Sequence, residues 1–278
     1  MTVADEPPAS LDSPPDPRSR ARSHLRSVAV PSEHGGWGLT IEPVVLGLLL
    51  RPSWAGLMIG VATVLAFLSR TPIKVVLVDL HRHRWLERSR VALSVSIVEV
   101  LAMVVLISLA TLIAGWSWWI PVLVAAPMIV VELWYDARSR SRRLVPELFG
   151  AVGIAASVAA ITVAGDADWA LAAGAWTVLA ARAIGSIPFV RAQIGFLRRG
   201  EPGTTTVVLA QSASVAIGVV AVLLDSRLAI GLAAVVLLAL FQLAAARRPP
   251  SSAKVLGLTQ MALGFALVFA TAIGVAFA

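Results

Sequence analysis

Residues 91–114 read VALSVSIVEVLAMVVLISLATLIA, and Glu99 is the only charged side chain among them. An α-helix needs about 20 mostly apolar residues to cross the hydrocarbon core of a bilayer. This stretch meets that requirement and therefore predicts a transmembrane helix. The same criterion predicts nine segments along the chain, with boundaries approximate to a few residues: 36–51, 54–73, 91–114, 118–135, 147–164, 168–190, 205–224, 228–246 and 255–277.

The composition indicates the same class of protein. Of the 278 residues, 58% are hydrophobic and 14% are charged, and the mean hydropathy is +0.84. A soluble domain is about 45–50% apolar and about 25% charged, so the apolar excess must face lipid. We therefore predict an all-α, polytopic transmembrane helix bundle over residues 31–278. Cysteine is absent, which excludes disulfides, thiolate nucleophiles and Cys-bound metal.

Charge placement predicts the orientation of this bundle. Residues 1–30 are rich in Pro, Ser, Asp and Arg, which is typical of a disordered tail. Most of the 23 Lys and Arg residues lie in this tail or in the connections after segments two, four, six and eight. Because cytoplasmic loops are enriched in Lys and Arg, we predict a cytoplasmic N-terminus and an external C-terminus. Basic residues in short loops indicate contact with an anionic cytoplasmic leaflet and no nucleic-acid partner.

Few charged side chains lie inside the apolar segments: Glu42, Glu99, Glu132 and Arg182, with Glu147 at a segment edge. Each costs about 2.5–3.5 kcal/mol to insert at the centre of a helix, so such groups usually face a partner or a wet cavity. All lie nearer the cytoplasmic ends of their segments. They predict a cytoplasm-facing polar cavity in which Arg182 meets Glu42, Glu99 or an anionic ligand. The alternative is a set of buried ion pairs that only fixes helix packing.

The stretch PSEHGGWGLTIEP, residues 31–43, leads from the polar tail into the first segment. In one interpretation Ser32 caps the helix, and His34 with Trp37 forms an interfacial belt. In the other, His34 is a titratable group beside glycines that let a ligand approach backbone N–H groups. Both interpretations stay open, and His34 is a candidate cavity residue.

Asp79, His83 and Glu87 are spaced four residues apart. If residues 72–90 form a juxtamembrane helix, these side chains share one face and are a weak candidate for a divalent-metal site. The alternative is a solvated face whose carboxylates pair with neighbouring arginines. Six local cations disfavour a bound metal, and no cofactor is predicted.

Two clusters of arginines lie at the predicted cytoplasmic surface. They are candidates for contact with anionic lipid headgroups: Arg138, Arg142, Arg143, Arg198 and Arg199. Alternatively, Arg191 and Arg182 join Arg198 and Arg199 in clamping a phosphate in a defined site. Arg191 is therefore also a candidate ligand-binding residue.

Three short motifs resemble the YwiC-like family of multi-pass bacterial membrane proteins: EHGGWG at 33–38, PELFG at 146–150 and VRAQ at 190–193. We expect this resemblance to cover about residues 30–278, and it implies a bacterial cell-membrane location. The layout also distantly resembles the UbiA superfamily of intramembrane prenyltransferases. In that superfamily two Asp-rich motifs hold magnesium against a prenyl diphosphate. In this sequence the first corresponding position, after segment two, has Asp79, and the second, after segment six, has Arg191 and Gln193. Arginine and glutamine are not the carboxylates that magnesium requires there.

Three functional hypotheses follow. The first is binding of an amphipathic lipid or prenyl-type molecule, with or without UbiA-like transfer, in which His34, Arg182 and Arg191 hold the polar head. The second is small-solute or proton-coupled transport with Glu42, Glu99 and His34 as a relay. The third is a membrane assembly factor without a ligand of its own. The residues leave open whether the protein is an enzyme.

Overall fold

The computed structural model describes residues 34–81, 83, 85–138 and 143–278. The predicted disordered tail at 1–30, Ser32, Glu33 and Arg142 lie outside the described residues, as does the side chain of His34.

The described residues form nine α-helices, and a 3-10 turn at Ser226–Leu228 precedes the eighth: α1 (His34–Leu50), α2 (Trp54–His81), α3 (Glu87–Ala114), α4 (Trp119–Ala137), α5 (Leu144–Ala164), α6 (Trp169–Arg199), α7 (Thr204–Leu224), α8 (Ala229–Ala245) and α9 (Ala253–Ala276). Eight of these helices, α2 to α9, are long and apolar enough to cross a membrane, whereas the apolar part of α1 is shorter. The predicted all-α bundle of about nine helices is confirmed. Its orientation in the membrane stays a prediction.

Two helices extend well beyond the apolar segments that predicted them. α2 continues from the predicted end at residue 73 to His81, and α6 continues from 190 to Arg199. A drop in hydropathy does not by itself end a helix, so each helix continues until a stop signal. Gly200, in the left-handed region at φ 76°, supplies that signal for α6. Hydropathy predicts which part of a helix lies in the hydrocarbon core, but it does not predict where the helix ends.

The helices pack as four hairpins around α1. The hairpins are α2–α3, α4–α5, α6–α7 and α8–α9, and α1 lies chiefly against α5 and α9. In the most apolar windows of α5 and α6, 61% of residues are buried, against 6% in α3. α3 packs mainly on α2 and exposes residues such as Val98 and Leu112, which identifies it as a peripheral, lipid-facing helix.

The core around α1 depends on small residues that let the helices approach closely. A Cβ on Gly47 would lie 2.8 Å from the side chain of Ile161 in α5. A Cβ on Gly60 of α2 would lie 2.6 Å from Val44 of α1. Such separations are too short for real atoms, so alanine at either position would force the helices apart.

Polar contacts define two ends of the bundle. At one end, which we call the basic end, Arg70 of α2 meets Asp136 of α4, and the Gln193 amide of α6 donates to the Ala245 carbonyl of α8. At the opposite end, Arg227 bridges Asp168 and Asp225, which precede α6 and the 3-10 turn. Hydrogen bonds from Arg227 hold the pKa of both carboxyls below the usual range.

Candidate functional site

A large cavity lies between α2, α4, α5 and α6, and Met103 and Ile107 of α3 and the N-terminal parts of α1 and α9 also contribute to its wall. Its volume is ≈ 3430 Å³. Along α2 its lining runs from Ile59 to Leu80. At 1.5 Å per residue this is about 31 Å, close to the thickness of the hydrocarbon core of a bilayer. The cavity therefore extends over about the full hydrocarbon thickness, roughly twice the depth of one leaflet, so the chains of one lipid can lie within it.

The lining of this cavity changes along its length. Towards the opposite end it is apolar, with Ile59, Ile107 and Trp119 among the lining residues. Towards the basic end the described lining contains seven Arg or Lys and four Asp or Glu side chains: Arg70, Lys74, Arg138, Arg182, Arg191, Arg198, Arg199, Glu132, Asp136, Glu147 and Glu201. The surplus of cations gives this end an electrostatic preference for anions.

Glu42 and Arg182 form a bidentate ion pair that joins α1 to α6. Arg182 Nε lies 2.6 Å from Glu42 Oε2, and Nη2 lies 2.7 Å from Oε1. Nη2 also donates to the backbone carbonyl of Gln260 in α9 at 2.9 Å. The two side chains are only 1% and 4% exposed. Arg182 lines the cavity and Glu42 does not, so the pair fixes helix packing and also places a guanidinium in the cavity wall.

Gly264 of α9 makes room for this pair. A Cβ at this position would overlap Glu42 Oε1 and Arg182 Nη2. The absence of a side chain at Gly264 is therefore a condition for the buried pair to exist.

A chain of buried amides extends from the ion pair across α9, α8 and α7. Gln242 donates to Gln260 Oε1 at 2.9 Å and to Ser186 Oγ at 3.0 Å. Gln211 donates to Gln242 Oε1 at 2.7 Å and to the Gly185 carbonyl at 3.0 Å. These residues carry no charge, so the pattern of charged side chains in apolar segments does not indicate them. The signal that could have found them is one isolated Gln within each of three apolar segments.

Glu132 belongs to a second ion-pair group, which bridges α2 and α4 at the basic end. Arg70 Nη1 lies 2.6 Å from Glu132 Oε1, and Nη2 lies 2.7 Å from Asp136 Oδ2. Lys74 adds a contact of 3.8 Å to Asp136. All four side chains line the cavity, so this group closes one side of its wall.

Glu147 and Arg191 form a more exposed pair at 2.9 Å between α5 and α6, also in the cavity lining. The structure thus gives Glu42, Glu132 and Glu147 one arginine each. Arg182 is therefore not the partner of all three carboxylates, because α2 and α6 carry Arg70 and Arg191 into the bundle. Cavity and buried ion pairs, which the sequence presented as alternatives, occur together.

Glu99 is placed apart from the other carboxylates. It lies on α3 and is not among the described residues that line the cavity. Its Oε2 is buried without a hydrogen-bond partner in the described part of the chain. The structure does not pair Glu99 with Arg182, and a shared cavity for the two side chains stays a prediction. α3 packs mainly on α2, whereas Arg182 is held by α1 and α9.

Asp79, His83 and Glu87, the weak candidate for a metal site, do not share one helix face. A continuous helix over 72–90 is not formed, because α2 ends at His81 and α3 begins at Glu87. His83 lies between them in an exposed turn at φ 52°. Asp79 accepts hydrogen bonds from Arg88 at 2.8 Å and Ser89 at 2.7 Å. Among the described residues, no three His, Asp or Glu side chains form a group that could hold a metal ion.

The magnesium sites implied by the UbiA resemblance do not fit the donors present. At the first place, Asp79 is already bound by Arg88 and Ser89. At the second, α6 offers Arg191 and Gln193, neither of which is a carboxylate.

Of the arginines proposed to contact anionic lipid, the four that the structure describes are exposed at the basic end. Arg138 stacks over the ring of Trp134 at 3.8 Å, and Arg143 directly precedes α5. Arg198 and Arg199 end α6, are exposed and line the cavity. Within the described part of the chain, neither of these two forms an ion pair. They are the cavity cations best placed to receive an external anion.

These features define a polytopic helical membrane protein with a large amphipathic cavity. The model of the YwiC-like protein family matches residues 30–164, and the chain is similar to that family over this range. The match confirms the resemblance for α1 to α5, and the VRAQ motif at 190–193 lies beyond it. No curated protein and no solved structure matches the chain.

Proposed function

We propose that this protein binds an anionic amphipathic lipid in the cavity between α2, α4, α5 and α6. The observation that supports the proposal is the joining of a cation-rich end to an apolar end in one cavity about 31 Å long. A small polar solute would gain nothing from the apolar part. A purely apolar molecule would leave the cation-rich end without a partner.

The polar head of this lipid lies at the basic end, near Arg191, Arg198 and Arg199. Guanidinium groups bind phosphate oxygens through paired hydrogen bonds, so arginines neutralise the head without a metal ion. The hydrocarbon chain, of acyl or prenyl type, lies along apolar lining such as Ile59 and Ile107.

Proton-coupled transport has less support from the arrangement. The relay hypothesis requires Glu42 and Glu99 to exchange protons, yet Glu42 is held by Arg182 and Glu99 is not among the described lining residues. We therefore propose ligand binding as the function that the cavity serves. A transferase reaction of UbiA type, which depends on Asp-bound magnesium, is not part of this proposal.

Binding of defined lipids tests the proposal. The purified protein, incubated with phosphatidylglycerol or phosphatidylcholine of identical acyl chains, is examined by native mass spectrometry. We expect tighter binding of the anionic lipid. Replacing Arg198 and Arg199 together with Gln should weaken it about tenfold or more, since each surface cation contributes about 1 kcal/mol near an anionic headgroup.

Arg247 and Arg248 provide a matched control for this experiment. They are an exposed pair of arginines after α8 and are not part of the described cavity lining. Replacing both with Gln removes the same charge and should leave binding unchanged. Equal loss in the two double variants, or equal binding of the two lipids by the wild-type protein, would contradict the proposal.

A further inference from the structure

We infer that Gln260, together with Ser186 and Arg182, forms a second polar subsite that binds an ester carbonyl oxygen of the lipid. This inference rests on the proposed function and specifies its ligand as an ester-linked acyl lipid. All three residues line the cavity, and each is at least nine-tenths buried.

The orientation of the buried amides determines which atom of the Gln260 amide is left without a hydrogen-bond partner. The Gly185 carbonyl can only accept, so Gln211 must direct its nitrogen towards it. The same nitrogen donates to Gln242 Oε1, which fixes the orientation of the Gln242 amide. The Gln242 nitrogen then donates to Gln260 Oε1. Each amide orientation follows from the one before it, and the chain ends at Gln260 Nε2.

Gln260 Nε2 has no acceptor among the described residues, although Gln260 is only 8% exposed. A buried N–H group without an acceptor loses its hydrogen bonds to water and forms none with the protein, which costs free energy. The residue lies in the cavity wall, so a ligand in the cavity can supply the missing acceptor. Nε2 can only donate, and the subsite therefore selects an acceptor oxygen.

Charge and depth specify which oxygen this is. Glu42 already balances Arg182, so the subsite carries no net charge and suits a neutral oxygen rather than a second phosphate. Ser186 precedes Arg191 by five residues on α6, which places it about 7.5 Å further from the basic end. In a diacyl phospholipid the ester carbonyls lie just below the phosphate. A phosphate near Arg191 therefore brings an ester carbonyl towards Ser186 and Gln260.

A pair of lipids that differ only in these carbonyls tests the inference. Diester and diether phosphatidylglycerols with the same chain lengths are compared by native mass spectrometry of the purified protein. We expect the wild-type protein to bind the diester about five- to tenfold more tightly, the effect of one hydrogen bond. Gln260→Leu should abolish this preference and leave diether binding unchanged.

Gln193→Leu is the matched control, because Gln193 is a buried amide that belongs neither to this amide chain nor to the described cavity lining. It should retain the preference for the diester. If the preference survives in Gln260→Leu, or disappears equally in both variants, the role of Gln260 is wrong.

The comparison of diester and diether binding by the wild-type protein tests the subsite even if a variant fails to fold. Equal binding of diester and diether lipids by the wild-type protein overturns the subsite and leaves lipid binding intact. Binding of neither lipid overturns the subsite together with the proposed function.

Discussion

The Glu42–Arg182 pair illustrates how buried charge shapes this protein at the scale of single residues. Both groups are almost inaccessible, and each satisfies the other through two contacts of 2.6 and 2.7 Å. Removing one partner of a buried pair leaves an uncompensated charge, which costs about 3–5 kcal/mol. Replacing both by apolar groups avoids that cost.

We therefore expect Arg182→Met to lower the free energy of unfolding by about 3–5 kcal/mol, whereas the double variant Glu42→Leu/Arg182→Met loses clearly less. Thermal unfolding of the purified protein, with the single Glu42→Leu variant included, gives the coupling between the two residues. Additive losses would show that the pair does not act as a unit.

Gly264 and Gly257 provide a second comparison on α9. A Cβ at Gly264 would overlap the Glu42–Arg182 pair, whereas a Cβ at Gly257 meets no atom within 4 Å. We expect Gly264→Ala to destabilise the protein and Gly257→Ala to stabilise it by about 1 kcal/mol or less through helix propensity. Thermal unfolding midpoints measure both effects. Equal unfolding midpoints for Gly264→Ala and Gly257→Ala would contradict the predicted steric overlap at Gly264.

At the scale of helices, the contact between α2 and α4 depends on one arginine. Arg70 reaches both Glu132 and Asp136 and so spans the basic end of the cavity wall. The two helices otherwise make few contacts, because the cavity lies between them. Arg70 therefore determines how closely α2 approaches α4 at the cavity mouth.

We expect Arg70→Gln to broaden and lengthen the distance between spin labels at Leu77→Cys of α2 and Val130→Cys of α4. The native chain has no cysteine, so the labels are placed without background. Electron paramagnetic resonance of the purified protein measures the distribution. Arg88→Gln, which breaks the Asp79 contact between α2 and α3, is the control and should leave this distance unchanged. An unaltered distribution in Arg70→Gln would contradict the role of the arginine.

For the whole molecule, the sequence predicted the class and number of helices because lipid exposure imposes a long apolar run on each span. It did not predict how far α2 and α6 continue, since polar helix turns leave no hydropathy signal. Arg70 lies inside the predicted segment 54–73 and Arg191 just beyond the segment 168–190, but neither was predicted to pair with a carboxylate of another helix, so their ion pairs were missed. Pairing across helices depends on tertiary packing, which a single sequence does not encode in any local pattern.

Orientation in the membrane decides to which leaflet the cavity opens. The basic end carries most of the described cations, whereas Arg51 and Arg227 lie at the opposite end, so we expect the basic end to be cytoplasmic. Single cysteines introduced at exposed positions of the cysteine-free chain test this. In intact cells a membrane-impermeant maleimide should label Asp166→Cys, near the opposite end, but not Ser251→Cys, which follows α8 at the basic end. Both should react after permeabilisation. The reverse pattern would place the cation-rich cavity mouth outside the cell, away from the cytoplasmic anionic lipids that its arginines are expected to meet.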